Sequence, residues 1–241
     1  MTASSSRNAL RLLALACGVA GVAAIVFGGR ALRSWSPLWG LFATLWLVLP
    51  ALTWLTLAAT ARGAHERAVE RLQLRSPRAT DALAAPLFAP ALVLLAAHAS
   101  AWERAIGATD FVAASPVPLR EMDMAARILV LVVSPAIVEE LYFRGALLAA
   151  LRRGFSDASS VAIGAALFGA AHLATGSFLP AALLGAALTF LTLRTRSLVP
   201  SIVLHGAYNG LLVLGAGVER PLAFDLACAA AGCVLLAMRQ T

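Results

Sequence analysis

Three short runs carry most of the polar chemistry of an otherwise apolar chain. In SPAIVEELYFRGALLAALRR, residues 134–153, Glu139 and Glu140 are adjacent and Arg144 follows. A charge near the centre of a bilayer costs roughly 2.5 to 3.5 kcal/mol on insertion scales, so two acids and a base in one greasy segment need a compensating role. Glu140 and Arg144 stand four residues apart, one helical turn, and can pair on one face. Glu139 points about 100° away around the helix and has no local cationic partner. That division suggests one acid held structurally and one left available for chemistry.

LFGAAHLATG sets Phe168 four residues before His172, and PSIVLHGAYNG sets His205 four before Asn209. Taken singly, each run has a structural reading: a register-fixing ion pair at Glu140 and Arg144, an interior histidine at His172, an interhelical clamp at His205 and Asn209. Taken together and in order, they point to a functional site within the membrane. The small residues Gly164, Gly169, Gly185, Gly206 and Gly210 would let the helices approach closely enough to assemble it. His65, in a basic loop, and His98, in an apolar run without a motif, keep structural readings.

The elements that must position these groups are membrane helices. The chain has 241 residues, 61% hydrophobic and 13% charged, too apolar to cover a soluble domain of this size. Apolar runs predict about eight spans, at 9–29, 38–60, 82–101, 126–150, 157–174, 178–193, 198–215 and 221–238, all-α and forming a single membrane domain over 1–241. The three motifs fall in a core over 125–215. The first run, ending at Gly28-Gly29-Arg30 without a small-residue cleavage site, reads as a retained anchor.

The net charge of +7 comes entirely from arginine on the basic side, and those residues cluster at the ends of apolar runs. This is the signature of membrane topology, and nucleic acid is not expected as a partner. With the N-terminus inside, twelve arginines fall in cytoplasmic segments and six in outer ones, which predicts both termini cytoplasmic. The stretch 61–81 is a basic cytoplasmic loop with a helical extension ending near Ser76-Pro77, beside anionic lipid. The segment from Trp102 to Asp123 is an outer loop. Trp35, Trp39, Trp46, Trp54 and Trp102 read as an interfacial belt, and Cys17, Cys228 and Cys233 as small buried hydrophobes.

The ordered set Glu-Glu-x-x-x-Arg (Glu139, Glu140, Arg144), Phe-x-x-x-His (Phe168, His172) and His-x-x-x-Asn (His205, Asn209) resembles the CPBP superfamily, the type II CAAX prenyl proteases and bacteriocin-processing proteins also called Abi. The resemblance covers about residues 125–215. It implies an intramembrane endopeptidase of eight helices around a polar cavity, embedded in lipid. By the same resemblance, Glu139 and His172 activate a water, His205 and Asn209 stabilise the oxyanion, and Glu140, Arg144 and Phe168 support them. The implied substrate is a membrane-anchored or lipidated protein or peptide, prenylated or bearing a sorting signal. A bacterial inner membrane is the expected location.

No cofactor is expected under this reading. Zinc on Glu139, His172 and His205 is the alternative, although no His-Glu-x-x-His motif is present. Gly-x-Ser-x-Gly and Gly-x-Gly-Asp are also absent, which argues against serine and aspartyl chemistry. Two non-protease readings compete: a scaffold or immunity protein that keeps the polar site, and a proton-coupled transporter, for which no internal repeat is found.

Overall fold

The computed structural model describes residues 3–61, 72–107, 122–173, 176–214 and 220–238. Among these residues the regular structure is helical, with no strand. Eight helices follow in order: α1 (Ser5–Trp35), α2 (Pro37–Ala59), α3 (Ala79–Ala105), α4 (124–151), α5 (Asp157–Ala171), α6 (Phe178–Thr195), α7 (Val199–Leu214) and α8 (Leu222–Ala237). By length and apolarity α1, α2, α3 and α6 can each cross a bilayer. Helices α5, α7 and α8, with 15 or 16 residues, rise only about 22 to 24 Å against a hydrocarbon core of about 30 Å. Helix α4 is long enough but carries Arg127, Glu139, Glu140 and Arg144.

The first helix does not end at Gly28-Gly29 as expected. Glycine costs a helix only about 1 kcal/mol, and here α1 and α2 pack closely: a Cβ on Gly40 would lie 2.4 Å from the Leu32 carbonyl oxygen. Helix α1 therefore runs on to Trp35 and stops where Ser36 turns extended (φ −153°, ψ 115°) ahead of Pro37.

Helix α4 is the central element. Its middle, Ser134–Glu140, lies between two wide π-type turns, Ile128–Val133 and Leu141–Leu147. Such turns recur where a helix must re-aim side chains. Tyr142, Ala146, Leu147 and Leu151 on α4 are fully buried, together with Phe168 of α5 and Leu188 of α6. The Tyr142 hydroxyl donates to the Cys17 carbonyl at 3.1 Å, over a notch that Gly21 leaves open in α1.

Glycines bring α5 against α6. A Cβ on Gly169 would stand 2.7 Å from the Phe178 carbonyl oxygen, and one on Gly185 3.1 Å from the Phe168 Cβ. Gly206 and Gly210 do not serve this purpose, since an added Cβ would meet its nearest neighbours at 3.7 and 3.9 Å, ordinary contact distances.

Helix α7 begins deep. The Thr192 and Ser201 hydroxyls are 2.6 Å apart, and the Ser201 hydroxyl donates to the Leu188 carbonyl at 3.0 Å. The third residue of α7 thus lies level with the penultimate turns of α6, which lifts His205 to the depth of the other motif residues.

Three peripheral expectations change. Residues 72–78 are not helical; Ser197 Oγ donates to the Arg75 carbonyl at 2.6 Å, and the Leu198 amide to that of Gln73 at 3.0 Å. The rest of the basic loop, 62–71 with His65, lies outside the described residues, as does 108–121 of the outer loop. All five tryptophans are exposed, but Trp46 sits mid-helix rather than near an end, and its indole N–H donates to Ser134 Oγ at 3.1 Å. Cys233 is exposed rather than buried, on the outward side of a peripheral helix.

Candidate active site

Glu140 is completely buried, and its Oε1 accepts two hydrogen bonds, from Arg144 Nη1 at 2.7 Å and from His205 Nδ1 at 3.0 Å. The first was legible from the spacing; the second was not, because it joins residues 65 positions apart. Arg144, itself 1% exposed, also donates through Nη2 to the Gly185 carbonyl at 3.2 Å. Its guanidinium lies 4.2 Å from the centre of the Phe168 ring, a cation–π contact. Phe168 is the packing hub, with ring centroids 4.6 Å from His172, 5.0 Å from Phe143 and 6.0 Å from His205.

Helix geometry fixes the ring of His172. Helix α5 ends at Ala171, leaving carbonyls of its last turn without intrahelical donors. His172 Nδ1 lies 2.8 Å from the Phe168 carbonyl. A carbonyl oxygen only accepts, so Nδ1 carries the proton and Nε2 faces outward with its lone pair in the neutral ring. Nε2 stands 3.9 Å from Glu139 Oε2. That is too long for a direct hydrogen bond and suits a bridging water. Glu139 is 14% exposed, and its Oε2 has no hydrogen-bond partner among the described residues.

Asn209 bonds the backbone of α4 beside Pro135, which has no N–H to offer the Leu131 carbonyl. Asn209 Nδ2 donates to the Leu131 carbonyl at 3.0 Å, tying α7 to α4. The amide nitrogen retains a second hydrogen beside the cavity. Pro135 was the available sequence signal for this contact.

The structure therefore brings all four expected catalytic residues to one place. Glu139, His172, His205 and Asn209 line a cavity of about 370 Å³, with Phe168 in its wall. Glu140 and Arg144 lie behind that wall. Tyr208, nearly buried one residue before Asn209, also lines the cavity and was not anticipated. His98, whose Nδ1 is 2.9 Å from the Leu94 carbonyl, lies elsewhere on an exposed helix face.

His205 Nδ1 faces Glu140 and His172 Nδ1 faces the Phe168 carbonyl, so each ring has only Nε2 left to offer a metal. Among the described residues, no group of three His, Cys, Asp or Glu side chains converges on one point.

Comparison with known proteins agrees with the motif resemblance. Residues 121–211 match the family of type II CAAX prenyl endopeptidases described as Rce1-like. The matched segment runs from the start of α4 through most of α7, and it contains every residue of the constellation. The match covers 91 of the 241 residues, and the family it names is one of CAAX prenyl endopeptidases. No match was found among curated proteins or among solved structures.

Proposed function

We propose that the chain is an intramembrane endopeptidase of the glutamate type, hydrolysing a peptide bond near the C-terminus of a membrane-anchored or lipidated protein or peptide. The observation that carries this reading is the 3.9 Å gap between Glu139 Oε2 and His172 Nε2 at the wall of the shared cavity. A water held between the two gives up a proton as its oxygen attacks the scissile carbonyl, and the pair later returns the proton to the leaving amine.

The negative charge that develops on the carbonyl oxygen meets His205 and the free N–H of Asn209. With Nδ1 donating to Glu140, His205 offers a second N–H only as the imidazolium. Glu140, bonded to both Arg144 and His205, holds the imidazole in place. Preorganised donors of this kind are worth several kcal/mol in a water-poor site. No step in this scheme passes through a metal.

The same reading sets both termini in the cytoplasm of a bacterial inner membrane, with membrane lipid and a peptide substrate as the only partners. The test compares membrane proteomes from cells making the parent protein or Glu139→Ala at equal levels. Proteins with a shortened C-terminus should appear only with the parent. Identical termini in the two samples would sink the proposal.

A further inference from the structure

A second space adjoins Glu139. It measures about 160 Å³ and is lined by Glu139, Phe143 and His172 on one side and by Arg33, Thr44 and Leu45 on the other. Glu139 and His172 line both this space and the larger cavity, so they stand between the two. Arg33 was expected to lie in an outer segment beyond the first span. It belongs instead to the last turns of α1, half-buried.

Its side chain runs against the usual habit. A long basic residue near a membrane-helix end ordinarily extends its charge to the interface. Arg33 folds back along its own helix, with Nη1 only 3.0 Å from the position a Cβ on Gly29 would take, one turn earlier. Thr44 Oγ1 and Cγ2 of α2 lie 3.2 and 3.3 Å from the same point. The absent side chain at Gly29 thus leaves a slot for the guanidinium beside Thr44. Among the described residues, no ion pair or hydrogen bond engages Arg33.

A half-buried guanidinium without a counter-ion is costly at this depth, and its planar fork of donors is shaped for a carboxylate. We propose that Arg33 binds the free α-carboxylate at the substrate's C-terminus and so sets the distance from that end at which Glu139 and His172 cut. The space is small, equivalent to about five waters at roughly 30 Å³ each. It accommodates a chain end rather than a chain passing through. This inference rests on the endopeptidase reading and assigns Arg33 to specificity.

The experiment titrates detergent-purified protein with the tripeptide Val-Ile-Leu, as the free acid and as its C-terminal amide, by calorimetry. The parent should bind the acid at least tenfold more tightly than the amide. Arg33→Gln should bring the acid down to the amide's affinity, and Arg33→Lys, which keeps the charge but loses the fork, should fall between them. Thermal unfolding verifies that each variant is folded; if Arg33→Gln is not, Gly29→Ala, whose Cβ crowds the guanidinium, replaces it.

Glu139→Gln should keep the acid preference while losing cleavage, so failure of the catalytic reading and failure of this one are separate results. Equal affinity for acid and amide in the parent, no binding of either, or a preference that survives Arg33→Gln overturns the proposal. So does displacement of the acid by a phosphate-headgroup lipid in the parent and Arg33→Gln alike.

Discussion

Glu139 and Glu140 are neighbours in the chain with opposite surroundings, and substitution should separate them. Glu140 is fully buried between Arg144 and His205, so Glu140→Gln leaves a buried guanidinium without its counter-charge. Removing one partner of such a pair costs roughly 3 to 5 kcal/mol. Glu140→Gln should therefore lower the unfolding temperature in detergent and reduce cleavage together. Glu139 faces the cavity with Oε2 unbonded, and Glu139→Gln should cut the rate by roughly 10² to 10⁴ with the unfolding temperature unchanged. A parallel loss of stability in both variants would contradict the division of roles. The contrast between the acids was legible in the sequence because a helix turns 100° per residue, so only Glu140 could reach Arg144. The bond from Glu140 to His205 was not legible, since a spacing rule speaks only for residues on one helix. Asn209 lies between these cases: Pro135 announces that residue 135 has no N–H to offer the Leu131 carbonyl, but only the fold shows that Asn209 reaches it.

Among the described residues, the eight helices were readable from apolar runs, and their ends were readable where proline or a cap intervened. Helix α5 starts after Ser156, whose hydroxyl accepts from the Ser159 amide, close to the expected boundary. Packing defeated the reading in two places. Helix α1 passes through its glycines, because contact with α2 outweighs their intrinsic cost. Of the five small residues expected to bring helices together, Gly169 and Gly185 do so most tightly, while Gly206 and Gly210 have room to spare. Gly169→Ala should destabilise the protein by roughly 1 to 3 kcal/mol, because the new methyl meets backbone that cannot easily yield. Gly206→Ala, in the motif helix itself, should be neutral or stabilising by up to about 1 kcal/mol, since alanine favours helix and its methyl fits. Thermal unfolding of the two variants decides the matter. An equal loss in both would mean that α7 is packed as tightly as α5.

For the whole molecule, the cavity's position along the bundle predicts the face from which water and substrate reach it. Leu41 and Leu45 lie in the first turns of α2, Ser100 near the end of α3, and Leu131 in the first third of α4. Ser177 and Pro180 lie at the start of α6, and Leu212 near the end of α7. Each of these is at the end of its helix remote from Arg152 and Arg153, which follow α4 and where Arg152 pairs with exposed Asp157 at 3.0 Å. His172 fits the same picture, because α5 rises only about 22 Å from Asp157 before ending, short of a hydrocarbon core of about 30 Å. Non-helical backbone at such depth is tolerated where it is buried in protein or lines a wet cavity, and Ser177, just before α6, is among the lining residues. A cysteine introduced as Ser177→Cys, with Cys17, Cys228 and Cys233 replaced by alanine, should therefore react with a membrane-impermeant maleimide added on the side opposite Arg152 and Arg153. Under the proposed topology, in which both termini are cytoplasmic, that is the outer side. An Asp157→Cys control should react only from the other side, and a bound peptide should protect the cysteine at 177 without protecting the control. Labelling at 177 only from the control's side would place the mouth of the site at the wrong end of the bundle and reverse the assignment.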